Sequence, residues 1–179
     1  MVHEDLALDS LAGVCRQLRR HTFRPLLVLG TDGGHEQTGP VLAAGADHCL
    51  PSDSALPEIV ARLRSMYRRD REYSGGPARQ RYEFQDVSLD TATHEVTVRG
   101  RSVTLTPKEF ELLGVLAAAG GRALRREQLL AQVWGYGPQV VTRTLDVHIG
   151  RLRRKIEPDP ERPRIILTVP GVGYRLVPS

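Results

Sequence analysis

The chain has 179 residues, 40% hydrophobic and 26% charged, a balance ordinary for a soluble globular protein of one or two small domains. It contains no run of about 18 apolar residues, which excludes a membrane-spanning helix, and its acidic start, Met1-Val2-His3-Glu4-Asp5, lacks the basic-then-apolar layout of a signal peptide. The two cysteines, Cys15 and Cys49, have no metal-ligand spacing and fit a reduced, cytoplasmic setting. The net charge is +4 and lies wholly in the second half: residues 1–80 hold 10 Lys+Arg against 10 Asp+Glu, and residues 81–179 hold the remaining 15 against 11.

The first half reads as a partial α/β unit. Leu11 to Arg20 predicts a helix with Leu11, Val14, Cys15 and Leu18 on one face. Pro25 to Leu29 reads as a short buried strand. Residues 31–38 are polar and Gly-rich, and Val41 to Ala44 reads as a short helix ending at Gly45. His48 to Leu50 gives a second strand. Ala55 to Arg69 predicts an amphipathic helix with Ile59, Leu63 and Met66 inward. Two parallel strands make a poor domain by themselves. The segment 69–80 is charged and then Gly/Pro-rich, and marks a linker.

The second half begins with two alternating strands, Tyr82 to Leu89 and Glu95 to Val98. A turn at Arg99-Gly100 follows, then a strand from Val103 to Leu105. Thr106-Pro107-Lys108-Glu109 is a helix start: Thr106 caps, Pro107 suits the first helical position and Glu109 completes a capping box. This helix carries Phe110, Leu113 and Leu116 inward and stops at Gly120-Gly121. A second helix spans about Arg125 to Trp134. After a Gly/Pro loop, Gly135 to Gln139, a third spans about Val141 to Ile156. The end reads as a hairpin from Arg164 to Val177, turning at 170–173.

The third helix carries the function. Leu145, Ile149, Leu152 and Ile156 form one apolar stripe that anchors it to a core. Thr144, His148, Arg151 and Lys155 repeat at the same spacing on another face, flanked by Val147 and Arg154. An anchored helix with such a face suits a DNA major groove, where Arg pairs with guanine in bidentate fashion and Val meets a thymine methyl. By itself the basic face is equally that of a solvated surface helix. The context of three helices and a hairpin is the winged-helix arrangement, in which one helix enters the major groove.

At these residues the chain resembles a known family. Residues 82–179 resemble the C-terminal effector domain of OmpR/PhoB-type response regulators. The matching stretches are Leu105-Thr-Pro-Lys-Glu-Phe-Glu-Leu-Leu113, Arg125-Arg-Glu-Gln-Leu-Leu130 with Val133-Trp-Gly135, Val141-Thr-Arg-Thr-Leu-Asp-Val-His-Ile149 with Arg151-Leu-Arg-Arg-Lys-Ile156, and Ile166-Leu-Thr-Val169 with Gly171-Val-Gly-Tyr-Arg-Leu176. The resemblance implies a winged helix-turn-helix with an N-terminal antiparallel sheet, and DNA contacts at Arg143, Val147, His148, Arg151, Arg153, Thr168 and Tyr174. It implies that the loop Gly135 to Gln139 contacts RNA polymerase, although a plain connector fits as well. The chain departs from the family at Gly150 and Pro170, where the family carries Arg. Both changes remove cations that would meet DNA, and Gly150 weakens the helix by about 1 kcal/mol relative to Ala.

The first half resembles the later part of the family's receiver domain. Residues 11–19 match the helix after the phosphorylation site, 25–29 the next strand, and 44–47 with 56–64 the last helices and their flanks. The first strand, first helix and acidic metal-binding pair of that domain have no counterpart here. Gly30 stands at the switch Thr/Ser position, and Ser52 at the phosphate-binding Lys position. Asp5, in Asp5-Leu-Ala-Leu8, resembles the phosphoacceptor motif but sits about two residues too close to the following helix. Phosphoryl transfer to a carboxylate needs a metal ion and a cation. The expectation is therefore an α/β receiver remnant with an incomplete parallel sheet, followed by an α+β winged helix-turn-helix. Its units are 1–69, a linker 70–80, and 81–179.

The expected function is sequence-specific binding of double-stranded DNA as a bacterial transcription regulator independent of phosphorylation. No catalytic residue, metal or cofactor is expected. The DNA-binding set is Arg143, Thr144, Val147, His148, Arg151, Arg153, Arg154, Lys155, Thr168 and Tyr174. In the family, the elements matching residues 41–69 form a dimer face, which implies a homodimer, with the first helix of that face shortened by Gly39-Pro40. Two alternatives stay open. One is a conventional phospho-switched regulator whose start lies upstream of Met1. The other is a dimerisation module that modulates a paralogue without binding DNA.

Overall fold

A computed structural model describes residues 11–22, 24–30, 34–75, 81–137 and 142–179, without the side chains of 34–37, 65 and 67–75. Asp5 and the centre of the loop after Gly137 lie outside the described residues.

In the first half, α1 (Leu11–His21), β1 (Leu27–Leu29), α2 (Gly34–Ala43), β2 (His48–Leu50) and α3 (Leu56–Gly75) follow in order. β1 and β2 pair in parallel, Leu27 opposite His48 and Leu29 opposite Leu50. Ala12, Cys15, Val28, Val41, Leu42 and Ala46 close a small core beneath them.

Three details differ from the sequence reading. Helix α2 runs through Gly39-Pro40 instead of beginning after them. Val41 and Leu42 are both fully buried, so packing of the C-terminal turn offsets the hydrogen bond that Pro40 removes. Helix α3 continues to Gly75, through residues read as linker. Residues 69–72 lack a hydrophobic period, but Arg and Glu are good helix formers and no Gly or Pro interrupts them before Gly75. Leu63, read as inward-facing, is 48% exposed, whereas Met66 is buried.

The second half opens with an antiparallel meander, β3 (Arg81–Phe84), β4 (Val87–Asp90), β5 (Glu95–Val98) and β6 (Arg101–Ser102). The stretch read as one strand from Tyr82 to Leu89 is thus a hairpin. Its turn lies at Gln85-Asp86, with Gln85 at φ 47°. Phe84 and Val87 both point into the core. A step of three between inward residues breaks the period of two, as a turn requires. Strand β6 lies just before the predicted Val103–Leu105, and Val103 N–H still donates to the Val96 carbonyl at 2.8 Å.

Helix α4 (Pro107–Ala118) starts with the expected capping box: Thr106 Oγ1 accepts from Glu109 N–H, and the Glu109 carboxylate accepts from Thr106 N–H at 2.8 Å. β7 (Leu124–Arg125) and α5 (Arg126–Trp134) follow. Then come α6 (Thr144–Ile156) and the hairpin β8 (Ile166–Val169) with β9 (Gly173–Leu176). Strand β9 lies between β8 and β7, so the terminal hairpin is sewn to the strand that introduces α5. The large core of this half, centred on Trp134, Phe84, Leu113, Leu129, Leu145, Ile149 and Leu152, draws only on residues of the second half.

The β7–β9 pairing requires a glycine. A Cβ at Gly173 would stand 2.3 Å from the Leu124 carbonyl oxygen and 3.0 Å from Arg126 N, both backbone atoms. Gly173→Ala is expected to destabilise the second half by about 3 kcal/mol, as overpacking against fixed backbone does. Urea unfolding followed by circular dichroism measures it.

Candidate nucleic-acid interface

Helix α6 is the element on which the predicted contacts converge, and three sets of bonds fix it. At its N-terminal turn, Asp146 accepts two bonds from the Arg126 guanidinium, both 2.6 Å, and one from the Tyr174 hydroxyl, also 2.6 Å. One carboxylate thereby ties α6 to α5 and to β9. Burial pushes the Asp146 carboxyl up, but the bonds from Arg126 and Tyr174 outweigh it and hold the group below the ordinary carboxylate range. In its last turns, Arg153 donates to the Ile166 carbonyl at 3.1 and 2.8 Å and to Thr168 Oγ1 at 3.0 Å. Just past the helix, the Glu157 carboxylate accepts from the N–H groups of Arg164, Ile165 and Ile166 at 2.9, 3.0 and 2.8 Å. Helix and hairpin therefore form one rigid unit.

The third set joins α6 to α4. Glu109 is fully buried; its Oε1 pairs with Arg151 at 2.8 Å and its Oε2 with Lys155 at 2.6 Å. Burial raises its pKa, yet the two cations and the Thr106 N–H outweigh that effect and leave it lowered. The sequence reading recognised Glu109 as a cap and missed this second role. The signal was a carboxylate on the buried face of a helix whose neighbours are Phe110, Leu112 and Leu113.

The ten predicted contacts differ widely in exposure. Arg143, Arg154 and Thr168 face solvent. Arg153 and Lys155 are half-buried in the bonds just described, and Tyr174 is buried beneath its bond to Asp146. Thr144, His148 and Arg151 are buried at 2%, 0% and 7% exposure. Val147 packs on the core of the first half. Gly150 faces open space, with nothing within 4 Å of where a Cβ would stand.

The first half covers this face. Arg151 Nη1 donates to the Leu42 carbonyl at 3.1 Å. The Trp134 indole N–H donates to the Asp47 carbonyl at 3.0 Å. Arg62 of α3 donates to the Trp134 carbonyl at 3.3 Å and lies over the Tyr136 ring, 4.5 Å from its centre. His48 meets the edge of the same ring at 5.9 Å. Residues of the 41–69 segment, read as a dimer face, are thus engaged by the chain's own second half. Sequence reasoning did not find Trp134, Leu42 or Arg62, because all three of these hydrogen bonds end on backbone carbonyls, which every residue has.

Comparison with known proteins places this geometry. Residues 100–176 match the family described as "Transcriptional regulatory protein, C terminal". The DNA-binding response regulator MtrA of Mycolicibacterium smegmatis is 39% identical over 176 residues, covering 97% of this chain and 75% of that protein. The chain belongs to the OmpR/PhoB family of response regulators. Among solved structures, the response regulator DrrB of Thermotoga maritima, an OmpR/PhoB homologue, aligns with a TM-score of 0.51 at 30% identity over 92% of this chain and 72% of that one. The DNA-binding domain of Klebsiella pneumoniae RstA, solved in complex with the RstA box, aligns with a TM-score of 0.53 at 30% identity over 56% of this chain and 99% of that one. This OmpR/PhoB regulator therefore has a receiver-like α/β region followed by a DNA-binding winged-helix effector domain. No helix among its described residues is long and apolar enough to cross a membrane.

Removing the charge of Glu109 strands two cations at the base of α6. Glu109→Gln is expected to cost about 3 kcal/mol at neutral pH, as breaking a buried pair does. The native carboxyl is lowered, so its stabilisation is present above the ordinary value of about 4.3 and lost as pH falls through the lower folded value. Urea midpoints between neutral and acid pH should therefore converge for the variant and the native chain.

Proposed function

We propose that this OmpR/PhoB regulator reads a specific duplex sequence with α6 in the major groove and the β8–β9 hairpin beside it, and that it does so without phosphorylation. The observation that carries the DNA reading is the rigid clamp of α6 to the hairpin through Asp146, Arg153 and Glu157. A reading helix must be held this firmly for side chains to register against base edges. Arg151 is the principal base-reading residue, with Val147 and His148 beside it. Arg143, Thr144, Arg153, Arg154, Lys155, Thr168 and Tyr174 contribute to backbone contacts around it.

Phosphorylation independence is supported at two positions. Gly30, at the switch position, is buried; its N–H donates to the Leu50 carbonyl at 2.6 Å, and a Cβ there would meet Cys49 Sγ at 3.3 Å. Ser52, at the phosphate-binding Lys position, sits exposed in the turn after β2. Neither supplies the hydroxyl switch or the cation that a phosphoryl group needs.

The state with the first half on α6 is closed to DNA, because Arg151 and Val147 cannot meet a groove while they pack on Leu42 and its neighbours. DNA binding thus draws on an open minority, and apparent affinity is reduced by that fraction. Opening also frees residues 41–62 for a second copy of the chain, and Tyr136 with its loop for RNA polymerase.

Selection of sites from a random duplex library by the full chain tests the reading. The expected result is a short enriched motif that Arg151→Ala loses and that phosphoramidate treatment leaves unchanged. No enrichment at low salt, where phosphate attraction is greatest, would move the non-DNA-binding module to the front. Arg62→Ala removes a cation–π contact and a hydrogen bond from the closed state only. It should tighten binding to the selected duplex roughly fivefold, measured by fluorescence anisotropy.

A further inference from the structure

The face of α6 that the first half covers contains a histidine with no charge partner of its own. His148 is 0% exposed. Its Nδ1 lies 2.8 Å from the Thr144 carbonyl, and its Nε2 has no hydrogen-bond partner. Its ring packs edge-on against Trp134 at 5.0 Å, and the indole N–H of Trp134 is bonded to Asp47 of the first half. One residue before it, Val147 packs on the first-half core. Three residues after it, Arg151 is bonded to Leu42. His148 therefore sits at the centre of the closed interface, on the side of α6 that opening would return to water.

We propose that His148 makes the closed state acid-labile, so that a fall in pH through the range of a free imidazole releases α6 from the first half. This rests on the reading of the closed state given above.

The charged groups around the ring decide the sign. On α6 itself, Arg151 repels an imidazolium. From α4, Lys108 repels it and Glu109 attracts it, but both Glu109 oxygens are already engaged by Arg151 and Lys155. From α5, Trp134 offers only its apolar ring. From the first half, Asp47 presents a backbone carbonyl to Trp134, while its carboxylate is paired with Arg19 and accepts from Leu26 N–H at 2.8 Å. Burial, reinforced by Arg151, holds the His148 pKa at about 4. A released imidazole titrates at about 6.5. The closed form binds fewer protons than the open form throughout that interval, so it loses stability relative to the open form as pH falls from about 6.5 towards about 4.

Asp47 is the one group that acts in the opposite direction, since burial raises its pKa in the closed state. Its partners Arg19 and Leu26 belong to the first half and stay with it on opening, so much of its shift is common to both states. Tyr136, raised by burial, does not titrate in this range. His48, against the Tyr136 ring, is the other interface histidine and needs its own control.

Trp134 is the only tryptophan of the chain, and its indole N–H exchanges with solvent only when the Asp47 bond opens. Its hydrogen exchange, followed by NMR on the full chain and normalised to free tryptophan at each pH, reports opening without DNA. Between about pH 7.5 and about pH 5.5 the normalised exchange should accelerate about tenfold. His148→Phe, which keeps a ring against Trp134 but takes no proton, should abolish that acceleration, and so should His148→Gln. His48→Gln should retain it. A pH-independent native chain, an acceleration that survives both His148 variants, or one lost with His48→Gln would overturn the proposal. Affinity for the selected duplex, read in parallel at constant ionic strength, should tighten by the same factor. Exchange that responds to pH in a chain that binds no duplex would leave the switch standing and reject the DNA reading instead.

Discussion

The arrangement of the second half depends on one buried carboxylate. Glu109 closes the N-terminus of α4, where Thr106 would otherwise leave a buried N–H without a partner, and the same group holds Arg151 and Lys155 of α6. A carboxylate so placed is costly to desolvate and repays that cost only when its oxygens are bonded. Its two cations come from positions four residues apart on one helix, one turn of spacing, so the pairing also fixes the rotation of α6 about its axis. That rotation directs Leu145, Ile149 and Leu152 into the core and turns Val147 and Arg151 towards the first half.

The first half then packs on that side of the helix. Val147 and Arg151 take up Leu42 and its neighbours, and Trp134 takes up Asp47. Each bond is modest: three end on backbone carbonyls, and Arg62, which makes one of them, adds a cation–π contact. Tethering compensates. A segment joined by a short linker acts at an effective concentration in the millimolar range, so contacts too weak to hold two separate proteins suffice within one chain. The same weakness would let a competing surface displace the first half, since coupling of about 1–3 kcal/mol is enough to register as regulation.

What the sequence revealed follows the range of the interactions. The capping box of α4, the turn at Arg99-Gly100, the core stripe of α6 and the terminal hairpin are local patterns, and all were legible. The Gln85-Asp86 turn was written in the three-residue step from Phe84 to Val87, but the longer alternation obscured it. Pro40 argued for a helix start after it, because nothing local announces that Val41 and Leu42 will be buried well enough to hold the helix through a proline. The basic stripe was legible as a set of residues, but its covering was not. Coverage by Leu42 and Asp47 depends on where α2 and β2 fall in space, and a carbonyl acceptor leaves no trace in residue type. Leu63 erred for a related reason: a helix period marks an apolar face, but the neighbours that would cover it are a property of the assembled sheet.

The charges still on the surface in the closed form bear on how DNA would be met. Gly150 and Pro170 stand where the resemblance implies Arg, and the single charge of Glu109 offsets one of the two charges on Arg151 and Lys155. The cations on α6 and at its start that remain exposed are Arg143 and Arg154. Long-range attraction to phosphate would therefore come mainly from the rim of the face, which would favour weak, salt-sensitive encounter. On the proposed reading, specific recognition would need a second step, in which Arg151 would exchange the Leu42 carbonyl for a base edge while keeping its pairing with Glu109. That retained pairing holds the guanidinium in place through the exchange. An arginine already fixed by a buried carboxylate loses little rotamer freedom when it binds. Glu109 braces Arg151 against the first half, and on the proposed reading the same pairing would present it to the groove.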